Sequence, residues 1–166
     1  MSVARLPEGV GENVAMDVFS AATGQDHAWI AARVPHAGSM CLLDGVVQAA
    51  PEAITCRAAS HRLPDHPMRQ AGRLGAACGV EYAAQAMAAH GAMLSNGSRP
   101  RVGYVASVRS LDLLAERLDQ PQTLEIVAER LSGDDDNILY RFEVGAGGRP
   151  LLRGRAAVVL RAGVGQ

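Results

Sequence analysis

From Ala76 to Met93 the chain reads AACGVEYAAQAMAAHGAM, small and apolar helix formers on nearly every side. A helix with no polar face is stable only where it is covered all round, so this segment predicts a buried core helix. The rest of the chain must supply the cover. Ser95 to Pro100 (SNGSRP) closes the helix with turn residues.

Most of the remaining sequence has the two-residue period of strands. Leu124, Ile126 and Ala128 recur at every second position, as do Ile138, Tyr140, Phe142 and Val144. Met40 to Ala49 and Ala53 to Ser60 read as two extended runs joined through Ala50, Pro51 and Glu52, and Val102 to Val108 opens a third. Leu111 to Leu118 fits either an extended segment or a short helical turn. Asp134-Asp135-Asp136 and Gly147-Gly148 mark turns, and Leu151 to Arg161 forms the last strand. Before these, Asp26 to Val34 (DHAWIAARV) suits a short helix capped by the Asp26 carboxylate and ended by Pro35. His61 to Gly75 is irregular, interrupted by Pro64, Pro67 and Gly72. The expectation is an α+β domain over residues 23–166, an antiparallel sheet of about six strands wrapped round one central helix. Residues 1–22 read as a flexible extension.

Composition narrows the function. With 48% hydrophobic and 20% charged residues the chain is globular rather than disordered. A net charge of −1 and 4% aromatics argue against nucleic acid as a partner. The first residues, MSVARLPEGVGENVAMDVFS, contain neither a continuous apolar stretch nor a cleavage pattern, so no membrane anchor is expected. Cys41, Cys56 and Cys78 are odd in number and lack metal-ligand spacing, which predicts small buried thiols in a reducing cytoplasm, with no metal site.

Glu81 is the only normally charged side chain between Gly75 and Ala89. A carboxylate on a buried helix must be partnered, protonated or open to a cavity. Gln85, one turn later on the same face, is placed to hold it by hydrogen bonding. Two histidines are candidate bases, since imidazole titrates near neutrality. His36 (VPHAGSMCLLD) stands between the short helix and the first extended run. His66 (LPDHPMR) stands on the loop before the central helix. His61 and His90 read as surface or edge residues, and Asp44 as the end of a strand.

At VPHAGSMCLLDGV and GVEYAAQAMA the sequence resembles the 3-hydroxyacyl-acyl-carrier-protein dehydratases of the hot-dog superfamily, over roughly residues 28 to 162. Among these it is most similar to the divergent group associated with aryl-polyene pathways. The resemblance implies a hot-dog fold and dehydration of a 3-hydroxyacyl thioester to a 2-enoyl thioester, in fatty-acid or polyene-type biosynthesis. The substrate would arrive on the phosphopantetheine of acyl carrier protein, with no further cofactor. It also implies a homodimer or a heteromer with another hot-dog dehydratase. In the wider family a His before the helix works with the helix Glu or Asp of the opposite subunit. Here the usual His-Phe-Pro run is replaced by DHPMRQAGRLG, and His66 lies one residue farther from Glu81 than the family spacing. His36 with Glu81 is therefore the favoured pair, His36 taking the α-proton and Glu81 protonating the departing hydroxyl, with His66 as substitute base. Backbone N–H groups of Gly75, Ala76 and Ala77 are the expected oxyanion donors. Arg99, Arg101, Arg153 and Arg155 would form a rim for the acidic carrier protein. An acyl thioesterase using Glu81 to activate water, and a non-catalytic subunit of a heteromeric dehydratase, are the alternatives.

Overall fold

The computed structural model describes residues 18–95 and 101–162. A one-turn helix, α1 (His27–Ala31), leads through a 3-10 turn to β1 (Gly45–Ala50) and β2 (Ala53–Ala58). After the irregular loop comes the long helix α2 (Gly79–Leu94), preceded by a 3-10 turn at Ala76–Cys78. Four longer strands follow: β3 (Arg101–Leu113), β4 (Leu124–Gly133), β5 (Asn137–Ala146) and β6 (Arg149–Ala162). All pair antiparallel in one six-stranded sheet of order β1-β2-β4-β5-β6-β3, with α2 against its inner face.

The two periodicities meet in the core. On α2 Tyr82, Ala83, Ala86, Met87, Ala89 and Met93 are buried. The sheet answers with every second residue: Cys56, Ile126 and Val144 lie abreast on β2, β4 and β5, and all are solvent-free. Alanines dominate the contact, so the helix backbone comes close to the strands. Gly79 takes this furthest, since a Cβ there would overlap the Leu152 side chain. The strand ends also follow local chemistry. Gly147 and Gly148 adopt φ of +58° and +75°, the left-handed conformation a tight hairpin between β5 and β6 requires.

Several expectations change. Asp26 does cap α1, accepting from Trp29 N–H at 3.1 Å, but the helix ends at Ala31 rather than Val34. Met40 to Asp44 is not strand: the Met40 carbonyl and both Leu42 backbone groups are bonded to side chains of α2 and of the segment after β2. The part of residues 111–118 left open between strand and helix is extended only through Leu113, with a bulge between Arg109 and Asp112. Residues 18–22, read as the end of a flexible extension, are helical, with Phe19 and Ala22 in the core. Residues 1–17 of that extension lie outside the described residues. His61 and His90 are fully buried, not at the surface. His90 is paid for by Tyr140 Oη at 2.8 Å and Ala50 O at 2.8 Å, and His61 by the carbonyls of Gln120 and Gln122. Asp44 precedes β1 and accepts from Ala59 N–H at 2.6 Å.

The loop from His61 to Gly75 has little regular structure but is firmly tied. Arg69 donates to the carbonyls of His61, Leu63 and Gly72 and to Asp119. Asp119 also receives Arg117, and this bond, then that of Arg69, holds its carboxyl well below the usual carboxylate range. A carboxyl lowered on folding stabilises the fold above its unfolded pKa, about 3.9, and loses that contribution as the pH falls. Asp119→Asn is expected to lower the urea midpoint at pH 7. The gap from wild type should persist down to about pH 4 and narrow below it, as measured by fluorescence-monitored unfolding.

Candidate active site

The first turns of α2 carry Glu81, Tyr82 and Gln85, and the segment between α1 and β1 carries His36. Residues 36–41 fold into a tight turn in which Cys41 Sγ donates to His36 O at 3.1 Å and Cys41 N–H to Gly38 O at 3.0 Å. Gly38 allows this turn with a φ of +59°. The turn brings His36 Nε2 to 2.5 Å from Glu81 Oε1. Their side chains are 24% and 29% exposed, so the pair faces an opening rather than the sealed core. That opening is a cavity of about 390 Å³ bounded by Pro35, Ala84, Tyr104, Val105 and the pair itself. The other ring nitrogen, His36 Nδ1, is buried without a partner among the described residues.

Gln85 is fixed more tightly than its charged neighbour. Its Oε1 accepts the Leu42 N–H at 2.9 Å, which turns the amide nitrogen toward Met40 O at 2.6 Å and Glu81 Oε1 at 3.3 Å. A backbone N–H can only donate, so the amide orientation follows. The sequence expectation that Gln85 steadies Glu81 therefore holds in the geometry, through a bond longer than the usual 2.9–3.0 Å.

His66 does not join them. It is 4% exposed, with Nδ1 accepting from Met68 N–H at 3.1 Å and Nε2 against Tyr82 Oη at 3.0 Å. Burial, then the nearby Arg69 and His61, lowers its pKa, and both ring nitrogens are engaged in hydrogen bonds. The structure does not bring this expected substitute base to Glu81.

Of the expected oxyanion donors, Ala76 is buried and its N–H is already given to Glu116 O at 3.0 Å. Gly75 and Ala77 are exposed, and Ala77 stands one turn before Glu81. Among the arginines, Arg99 lies outside the described residues. Arg101 is bound to Asp135 O and Asp136, and Arg153 to Asp112 at 3.3 Å, so neither offers an uncompensated charge. Arg155 stands between Arg109 and Arg141 across the neighbouring strands. Ser60, Tyr82 and Tyr104 were missed in the sequence. Tyr82 adjoins Glu81 in GVEYAAQ, a usable signal, whereas nothing local marks Ser60 or Tyr104. Among the described residues no cluster of His, Cys, Asp and Glu could hold a metal ion.

A six-stranded antiparallel sheet around one helix defines a hot-dog fold, here with His36 brought against Glu81 in the first turn of that helix. Residues 28–162 match the model of the ApeP-like family, described as ApeP dehydratase, and the chain belongs to that family. Among solved structures it is similar to the dehydratase heterocomplex ApeI:P from Xenorhabdus doucetiae, at 19% identity and a TM-score of 0.68, covering 82% of this chain and 91% of that one. It is also similar to a mutant thioesterase from Pseudomonas aeruginosa, at 13% identity and a TM-score of 0.60, covering 83% and 95%. The PaaI protein of the E. coli phenylacetic acid degradation operon aligns at 12% identity and a TM-score of 0.53, covering 69% and 80%. At these identities the structures show the shared fold. No curated protein matches the sequence.

Gln85 is the test of this local architecture. Replacing it by Leu strands the Leu42 N–H and Met40 O without partners, each of which costs about 1–3 kcal/mol when buried. Gln85→Leu is expected to lose stability on that scale in urea unfolding. An unchanged midpoint would mean that the amide is not the anchor described.

Proposed function

We propose that the chain dehydrates 3-hydroxyacyl thioesters carried on acyl carrier protein, giving 2-enoyl thioesters. The observation that carries this reading is the 2.5 Å contact between His36 Nε2 and Glu81 Oε1 at the wall of a cavity, in a chain of a dehydratase family. Elimination of water needs an acceptor for the α-proton and a donor for the β-hydroxyl, and the pair supplies both. The elimination requires the substrate to part the His36–Glu81 contact, with the shared proton on Glu81 and a lone pair on His36 Nε2. The Cα–H bond breaks with its proton passing to Nε2, and its electron pair forms the Cα–Cβ double bond. The Cβ–O bond breaks, and the hydroxyl leaves as water with the Glu81 proton. His36 then hands its new proton across to Glu81, and the site is reset without exchange with bulk water. Because acceptor and donor lie side by side, hydrogen and hydroxyl leave from one face of the substrate. Gln85 stabilises the Glu81 carboxylate formed in the middle of this cycle.

The pair is complete within one chain, unlike the arrangement the wider family implies, in which the two residues come from opposite subunits. A partner subunit still has a place. β3 is an edge strand, and its residues Gly103, Tyr104 and Val105 line the cavity. Tyr104, Leu111 and Leu113 on this strand are exposed apolar side chains. A second hot-dog subunit, the same chain or another dehydratase, would cover these residues and wall the cavity. The protein named in the ApeI:P structure is a dehydratase heterocomplex, which favours the second case. The Ala76, Cys78 and Gly79 N–H groups are given to carbonyls, which leaves Gly75 and Ala77 as the candidates for holding the thioester oxygen. The carrier protein would approach through charges other than Arg101 and Arg153.

His36→Ala and Glu81→Gln are each expected to slow formation of enoyl thioester at least about 100-fold, with the fold intact by circular dichroism. Near-normal rates in both variants would defeat the assignment. Release of free thiol in place of enoyl thioester would instead identify hydrolysis, with Glu81 activating water.

A further inference from the structure

A second set of polar groups runs behind the pair, and none of it touches the cavity. The Met68 N–H enters His66 Nδ1, so the neutral ring must carry its proton on Nε2 and donate to Tyr82 Oη at 3.0 Å. Tyr82, having accepted, gives its one proton to Ser60 Oγ at 2.7 Å. Ser60 then gives its own to Leu42 O at 2.7 Å. The direction of every bond follows from the first. The run ends on the residue whose N–H fixes Gln85, and Gln85 ends on Glu81.

We propose that His66, Tyr82 and Ser60 are positioning residues: a one-way hydrogen-bond chain that braces the Met40–Asp44 segment against α2 and so sets the placement of Glu81 relative to His36. The segment has no strand partner of its own at Leu42, whose two backbone groups are both bound to side chains. Its other end is continuous with the turn that holds His36, through Cys41 Sγ and His36 O. Both members of the pair are thus tied to one short piece of backbone. His66 is suited to start such a chain because it does not titrate into use. Its surroundings, burial with Arg69 and His61 against Asp65 alone, disfavour a second proton. Tyr82 is likewise kept as a phenol, its pKa pushed up to about 12 by burial.

The inference rests on the dehydratase reading only for its kinetic arm, so it is tested by two independent readouts on the full chain. In 15N-labelled protein, His66 is expected to show the neutral Nε2–H tautomer unchanged from about pH 5.5 to 8, around the free imidazole value. The Gln85 side-chain amide protons should be protected from exchange in wild type and exposed in Ser60→Ala. In turnover, Ser60→Ala is expected to lower kcat about tenfold, the scale of a displacement well under 1 Å, with KM unchanged. Ser60→Thr, which keeps the hydroxyl, should recover most of the loss. Tyr82→Phe breaks the chain one link earlier and serves where Ser60→Ala folds poorly. A His66 ring that titrates in this range, or Gln85 protection and kcat that stay at wild-type values in a folded variant, would overturn the proposal. If no substrate is turned over, the dehydratase reading fails while the two spectroscopic results still decide this one.

Discussion

A carboxylate set into an apolar helix must be given partners, and the organisation of this protein around its cavity follows from how Glu81 gets them. Its own helix supplies Gln85 one turn on, and the segment after α1 supplies His36 at 2.5 Å. Neither partner would hold unaided. Gln85 is aimed by two backbone groups of the Met40–Asp44 segment, and that segment is aimed by Ser60. The result is a carboxylate that is neither sealed in the core nor loose in solvent.

The sheet has two tasks in this arrangement. It covers the helix through residues of β2, β3, β4, β5 and β6. It also leaves β3 at the edge, where Tyr104 and Val105 bound the cavity on the side away from His36's turn. The convex face carries cross-strand ion pairs such as Arg141 with Glu129 and Arg153 with Asp112, which neutralise charges that a sequence reading would count as free.

Much of the fold was legible because hydrophobic period reports burial directly. The central helix and the alternation in β4 and β5 depend on nothing beyond their own segments. Where side chains compete for backbone groups, the reading fails. Met40–Asp44 looks like strand from its Leu42 and Leu43, yet its hydrogen bonds go to Gln85 and Ser60, residues far along the chain. The same applies to the histidines. His36 and Glu81 were legible from residue type and context, and the structure brings them together. His66 looked equivalent in sequence but is enclosed by Tyr82 and the Met68 amide, which only the folded loop reveals. His61 and His90 look like surface residues until their carbonyl and phenol partners are in place. Arginine counts failed for the same reason, since Arg101 and Arg153 meet acids across turns and strands.

The proposed dehydration requires one imidazole and one carboxylate, both from this chain, to act together on a single bound carbon–carbon unit. A crystal structure with a non-reactive 3-hydroxyacyl pantetheine analogue tests this most directly. The α-carbon is expected within about 3.5 Å of His36 Nε2 and the β-oxygen within about 3 Å of Glu81. An analogue seated elsewhere, with the His36–Glu81 pair turned away from both atoms, would contradict it.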